Sequence, residues 1–255
     1  MEILTAILLG VLQGITEWLP ISSSGHLVLV QQLFALNVPI IFDIMLHIGS
    51  LIVILFFFRT EILELITGLF NWEKDKLRII LMIIIASIPI AIVGYFFQSS
   101  IDAIFSNVRM VGFALLFTAV ILFLSKYPKA KNGKLTYGKA FGIGLLQAVA
   151  ILPGVSRSGS TISAGMMLGV KREDVARFSF LIFIPAILGA LVLHIGELAN
   201  VGDLMPVIVG MVVAVIVGYF SLRLLMGIIK NDKFYWFSVY CALLGVVVLV
   251  VSYTV

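Results

Sequence analysis

The sequence predicts an all-α integral membrane fold, an inverted-topology repeat of six transmembrane helices plus two re-entrant helical hairpins. Three observations predict it. The composition is 62% hydrophobic and 12% charged, with a mean hydropathy of +1.20, whereas a soluble domain is about half apolar and a quarter charged. Six apolar runs approach the roughly 20 residues that a crossing helix needs. Finally, two polar, helix-breaking segments repeat one another. Leu12-Gln13, Leu19-Pro20 and Ser22-Ser23-Ser24-Gly25 return as Leu146-Gln147, Leu152-Pro153 and Ser156-Arg157-Ser158-Gly159.

Taken in order, the stretches 3–15 and 24–36 are each too short to cross and are split by Pro20, so 3–36 reads as one hairpin. Apolar spans follow at about 40–58, 79–97 and 108–125. The stretches 138–152 and 159–170, split by Pro153-Gly154, make a second hairpin over 138–170, followed by spans at about 178–195, 204–222 and 234–254. The whole chain, 1–255, is one membrane domain, with repeat 1 over about 1–125 and repeat 2 over about 138–254. Irregular polar backbone at membrane depth survives only when buried in protein or lining a wet cavity. Paired interruptions of this kind point to a site at the repeat interface.

Three spans per half is an odd number, so the second half must lie upside down relative to the first. The basic residues test this. Arg59, Lys74, Lys76, Arg78, the five lysines at 126, 129, 131, 134 and 139, Lys171, Arg172, Arg177, Arg223, Lys230 and Lys233 fall on one side; Arg109 alone falls on the other. The positive-inside rule makes the crowded side cytoplasmic. Both termini and the first hairpin are then extracytoplasmic, the second hairpin enters from the cytoplasm, and the tips meet near the midplane. Glu2, with no Lys or Arg before the first apolar run, argues against a cleaved signal peptide. The net charge of +4 is explained by topology and suggests no nucleic-acid partner. Cys241, the single cysteine, reads as a small buried apolar residue.

At each tip a Pro, then Ser, then an apolar run reads as a break, an N-cap and a new helix. The start of such a half-helix offers unpaired amides and a positive dipole end, an anion site suited to phosphate. Ser22, Ser23, Ser24 and Gly25 build the first; Ser156, Ser158, Gly159 and Thr161 build the second, where Arg157 adds a bidentate guanidinium. Two such starts with an Arg between them suit a diphosphate. The first tip also carries Glu17 and His26, so hydroxyl, imidazole and carboxylate stand together as nucleophile, base and orienter. Glu17 with Gln13, one turn earlier, could instead hold Mg²⁺ or Ca²⁺, with substrate oxygens as further ligands. Ser23 attacking with His26 as base, His26 attacking itself, and an activated water all remain open.

Other polar positions carry weaker signals. Asp43 and His47, one turn apart, either extend the site or pair with each other near the interface, the pairing being preferred; His194 and Glu197 look interfacial. Lys171-Arg172-Glu173-Asp174 with Arg177 reads as a cytoplasmic anchor in preference to a lipid-headgroup site. Gly94, Gly112, Gly189, Gly210 and Gly218 read as close-packing positions between helices.

The run from Glu17 to His26, with Pro153-Gly154-Val155-Ser156-Arg157-Ser158-Gly159-Ser160-Thr161, resembles the undecaprenyl-diphosphatase family of bacteria, as does Arg177-Phe178-Ser179-Phe180-Leu181 with Pro185. The resemblance runs the length of the chain. It implies a metal-dependent, multi-pass phosphatase of the bacterial plasma membrane that removes the terminal phosphate of undecaprenyl diphosphate. That reaction recycles the lipid carrier for cell-wall precursors, and overproduction confers bacitracin resistance. The family's acidic motif falls on Gln13 and Glu17, its catalytic Ser and His on Ser23 and His26, and its phosphate-gripping Arg on Arg157. The hydroxyl before Gly25, often Thr, is here Ser24.

The expected activity is therefore hydrolysis of a polyprenyl diphosphate between the tips, with Mg²⁺ or Ca²⁺ as cofactor. The lipid tail would lie in an apolar groove among membrane lipids; the sequence is compatible with a homo-oligomer. The alternative is a secondary transporter or flippase for a phosphate-bearing lipid or solute, since that class shares the inverted, broken-helix plan. Against it, Glu17 and His26 correspond to Ala150 or Ile151 and to Ser160 in the second copy.

Overall fold

Local sequence divides the chain into helices that fit a bilayer, as a computed structural model shows over residues 2–105, 107–127, 133–200, 203–230 and 233–254. Lys129 and Lys131 of the charge census lie outside these. The first hairpin is α1 (Ile3–Thr16) and α2 (Ser23–Leu33), followed by α3 (Ile40–Phe57), α4 (Arg59–Phe70), α5 (Lys74–Phe105) and α6 (Val108–Leu124). The second is α7 (Tyr137–Val149) and α8 (Arg157–Met167), followed by α9 (Arg172–Leu181), α10 (Phe183–Leu193), α11 (Leu204–Lys230) and α12 (Phe237–Thr254). The chain is an all-helical, multi-pass membrane protein. Among the described residues, five helical stretches are long and apolar enough to cross: Ile40–Phe57, Lys74–Ile101, Arg172–Leu193, Leu204–Lys230 and Phe234–Thr254.

Several boundaries depart from expectation. The span expected over 108–125 is α6, whose 17 residues are short for a crossing helix. Helix α4 was not anticipated; Phe58, at φ −103°, ψ 23°, turns the chain out of α3 into it. Helix α5 extends well beyond 79–97 because its start, rich in Lys and Asp, is a good helix in water, and it kinks at Phe97 (φ −119°, ψ 17°). The span expected at 178–195 starts at Arg172 and breaks at Ile182. Pro185 explains the break: it has no amide to donate to the Leu181 carbonyl. Helix α11 continues past 222 to Lys230.

Small residues set the closest helix contacts. Helix α1 lies on α11 with Gly14 against Ala214 and Gly218; a Cβ on Gly14 would sit 2.9 Å from the Gly218 amide nitrogen. Helix α7 lies on α5, with Gly144 against the Ala86 backbone. Helix α6 lies on α12, where a Cβ on Gly245 would be 3.0 Å from the Gly112 carbonyl. Between apolar helices, such backbone approach supplies the packing that water cannot drive. Gly112, Gly210 and Gly218 fit the expected role. Gly94 and Gly189 do not: both line a cavity, and nothing lies within 4 Å of a Cβ built on Gly189.

The basic residues gather at one end of the bundle. Arg177 lies 3.8 Å from Glu61, the Lys171 amide donates to the Gly133 carbonyl, and Lys126 stands 5.1 Å from the Tyr235 ring centre. Arg109 is elsewhere, donating to the Ser252 carbonyl and covering the Tyr253 ring.

Candidate active site between two hairpin tips

Both tips fold as their sequences dictate. Ser22 caps α2 by accepting from the Gly25 amide at 3.2 Å, and Ser156 caps α8 by accepting from the Gly159 amide at 3.0 Å. A side-chain cap of this kind satisfies one of the amides that a helix start leaves without an intrahelical acceptor. The first amides of α2 and α8 keep their donors directed out of the helix end.

The tips interlock. Ser22 Oγ also accepts from the Gly154 amide at 3.1 Å, and Ser158 Oγ donates to the Trp18 carbonyl at 3.2 Å. A Cβ on Gly25 would lie 2.9 Å from Gly154 Cα, and one on Gly159 would lie 3.3 Å from Pro20 Cβ. The first contact has no room for a Cβ, and the second would need Pro20 to give by a few tenths of an ångström. Gly154 has φ +97°, open to glycine at little cost. Ser22 also has a positive φ, +70°, which a non-glycine residue adopts at a cost of about 1–3 kcal/mol unless its surroundings impose it. Thr118 of α6 ties down the second tip, donating to the Gly154 carbonyl and accepting from the Ser156 amide, each at 3.0 Å.

Glu17 is the hub. Its Oε1 accepts from Arg157 Nη2 at 2.7 Å. Its Oε2 accepts from Ser23 Oγ at 2.6 Å and from Gln13 Nε2 at 3.1 Å, and lies 3.3 Å from His47 Nε2. The carboxylate is buried, at 6% residue exposure, so each contact acts in a low-dielectric setting. Arg157 in turn donates to the Ser179 carbonyl at 3.4 Å and stacks over Phe183 at 4.1 Å. Thr161 Oγ1 donates to the Arg157 carbonyl at 2.8 Å and shares a 2.6 Å hydrogen bond with Ser179 Oγ.

The hub opens onto a cavity of 980 Å³. Glu17, Ser22, Ser23, Ser24, Ser156 and Arg157 form its polar end. Its long walls are apolar faces of α5 and α10, including Ile90, Gly94, Ala186 and Gly189.

The structure therefore joins Glu17, Ser23 and Arg157 in one hydrogen-bonded group, as the sequence anticipates. His26 stands apart from it. It is not among the residues lining the cavity; Nδ1 meets the Ser22 carbonyl at 2.8 Å, and Nε2 meets Tyr240 Oη at 2.7 Å. Ser22 and Ser156 use their hydroxyls as caps and ties. Ser24 lies on the cavity wall, Gly25 and Gly159 make the tip contacts, and Ser158 binds the opposite tip.

His47 takes the place beside the carboxylate that His26 leaves. It was expected to pair with Asp43, but its Nδ1 meets the Asp43 main-chain carbonyl at 2.7 Å, and the Asp43 carboxylate is held by Gln31 at 2.9 and 3.1 Å. Ser50, one turn from His47, accepts from Gln13 Nε2 at 3.2 Å. Ser50 and Thr118 escaped the sequence reading, although a polar side chain inside an apolar helix was the available signal. His194, expected at the interface, pairs with Glu197 at 2.9 Å and lines the cavity. Cys241 is buried as expected, with Sγ 3.6 Å from the Pro20 carbonyl.

Gln13 Oε1 is buried with no hydrogen-bond partner among the described residues. The Gln13 amide turns its nitrogen to Glu17 at 3.1 Å, so a divalent cation held by Glu17, Gln13 and substrate oxygens would need that amide turned over.

Residues 6–247 match the family described as bacitracin resistance protein BacA. Among curated relatives, an undecaprenyl-diphosphatase of Desulfatibacillum aliphaticivorans is 40% identical over 276 aligned positions, covering 99% of this chain and 100% of its own. One from Carboxydothermus hydrogenoformans is 42% identical, covering 97% and 96%, and one from Bacteroides fragilis is 41% identical, covering 99% of both. By the extent of these matches, the chain belongs to the bacitracin resistance protein BacA family.

Proposed function

We propose that this protein hydrolyses undecaprenyl diphosphate to undecaprenyl phosphate and inorganic phosphate, recycling the lipid carrier for cell-wall synthesis. The observation that carries the reading is the Glu17 carboxylate, which accepts from Ser23 Oγ at 2.6 Å and from Arg157 at 2.7 Å at the polar end of an apolar cavity. The diphosphate sits against the two half-helix starts, and the prenyl chain lies along α5 and α10.

Ser23 Oγ attacks the terminal phosphorus while Glu17 takes its proton. The bond to the bridging oxygen breaks and the lipid monophosphate leaves. Glu17 passes the Ser23 proton to the departing lipid monophosphate; water then attacks the phosphoserine, giving a proton to Glu17, which returns it to Ser23 Oγ as the P–Oγ bond breaks and phosphate leaves. Arg157 and the first amides of α2 and α8 neutralise charge on the phosphoryl oxygens, where most of the catalysis of such transfers lies. Glu17 and Gln13 would hold a Mg²⁺ or Ca²⁺ ion, which when bound would neutralise further diphosphate charge.

Reciprocal packing supports the inverted repeat. Helix α1 of the first half lies on α11 of the second, and α7 of the second lies on α5 of the first; Gly25 meets Gly154 while Gly159 meets Pro20. The clustering of basic residues at one end supports a cytoplasmic face there, with both termini extracytoplasmic, the tips near the midplane and the protein in the bacterial plasma membrane. Transport without cleavage is not favoured, because the relatives are named as diphosphatases and the acid–base groups lie at one tip.

The test is phosphate release from a short-chain polyprenyl diphosphate by detergent-purified protein with Mg²⁺, Ca²⁺ or EDTA. Cation-dependent release supports the reading. Absence of release by well-folded protein under every cation overturns it.

A further inference from the structure

We propose that Tyr240 is a positioning residue for this reaction, acting through His26 to hold the Ser22 backbone in the conformation that aims Ser23 at the phosphate. The proposal rests on the phosphatase reading above. Ser22 has a positive φ of +70° immediately before Ser23, whose hydroxyl lies 2.6 Å from Glu17. A non-glycine residue keeps such a conformation only where its surroundings over-determine it. Ser22 Oγ is fixed by the Gly25 and Gly154 amides. Its carbonyl oxygen is fixed from the other side by His26, which approaches it with both its amide nitrogen, at 3.2 Å, and its ring Nδ1, at 2.8 Å.

A carbonyl oxygen only accepts, so Nδ1 carries the proton. In the neutral ring Nε2 is then the acceptor, and Tyr240 Oη, 2.7 Å away, donates to it. The two rings are also stacked, with centres 5.8 Å apart and planes 8° apart. The Ser22 carbonyl thus fixes the tautomer, and Tyr240 holds the ring in that orientation from the Nε2 side. Its neighbour Cys241 reaches the Pro20 carbonyl, so α12 grips the same tip at two points. Both imidazole nitrogens are already engaged, and His26 does not line the cavity. This places His26 as a brace on the tip and Tyr240 as the group that orients the brace.

The experiment compares Tyr240→Phe, His26→Asn and His26→Gln in the full-length, detergent-purified protein, each first shown to be monodisperse. An Asn amide reaches the position of Nδ1 and can donate to Ser22; a Gln amide reaches the position of Nε2 and cannot. For a lost hydrogen bond that acts through positioning, Tyr240→Phe should lower kcat about tenfold and leave KM within about twofold. His26→Asn should retain most turnover, His26→Gln should lose it, and Tyr240→Phe should add no further loss to His26→Asn. Nitrogen-15 spectra of histidine-labelled protein should show His26 protonated at Nδ1, with the Nε2 resonance moving in Tyr240→Phe. Unchanged kcat in Tyr240→Phe, or His26→Asn as inactive as His26→Gln, overturns the proposal. If the wild type itself releases no phosphate, the phosphatase reading fails, and the spectra still decide whether Tyr240 bonds to Nε2 and holds the His26 ring.

Discussion

Arg157 and Glu17 form a 2.7 Å ion pair across the junction of the two hairpin tips, each contributed by a different half of the chain. The pair joins the halves and sets a guanidinium beside a buried carboxylate at the cavity. Removing one partner of a buried pair leaves the other charge uncompensated, at a cost of about 3–5 kcal/mol. Arg157→Met or Glu17→Met alone should therefore lower the thermal midpoint in detergent. The double variant should recover most of that loss and remain inactive. A double variant no more stable than the singles would show that the pair does not couple the tips.

The tip contact should be intolerant of a single methyl group. Gly154→Ala adds a Cβ 2.6 Å from the Val111 carbonyl at a φ of +97°. Gly25→Ala adds one against Gly154. Both should cut phosphate release strongly and lower the thermal midpoint. Gly138→Ala, where a Cβ meets nothing within 4 Å, should alter neither.

The cavity wall should determine how the prenyl chain binds. Gly189 lines the cavity with open space around its Cβ position, so a larger side chain can be added there without clash at the backbone. Gly189→Phe should raise KM for long-chain polyprenyl diphosphate more than for a short-chain one, with kcat little changed for the short chain. Equal effects on both chain lengths would place the tail elsewhere.

The expected cation rests on Glu17 with one amide oxygen, that of Gln13, which has no hydrogen-bond partner among the described residues. Gln13→Glu adds a second carboxylate and should lower the Mg²⁺ or Ca²⁺ concentration giving half-maximal phosphate release. An unchanged or raised requirement would remove Gln13 from the binding site.

Much of this architecture was legible because membrane burial leaves a strong mark on sequence. Pro20 and Pro153-Gly154 marked the breaks, and the repeated Ser-x-Ser-Gly segments marked the half-helix starts. Glu17 and Arg157 were conspicuous as charges in apolar surroundings. What sequence hid was direction. Nothing local says that His26 turns toward Tyr240, 214 positions away, while His47 from α3 turns toward Glu17. Gly94 and Gly189 read like the packing glycines of the other spans, but both line the cavity. Helix α4 was missed because Arg59, Glu61 and Glu64 dilute its apolar face.

The most direct test of the central claim is single-turnover phosphate release from a polyprenyl diphosphate by wild-type and Ser23→Ala protein side by side. Ser23 is the proposed nucleophile, and among the side-chain contacts described its hydroxyl is bonded to Glu17. The account predicts a fall of about a thousandfold or more in Ser23→Ala, with the thermal midpoint nearly unchanged. Turnover by Ser23→Ala within about tenfold of the wild type would contradict it and move the attack to another group at the tips.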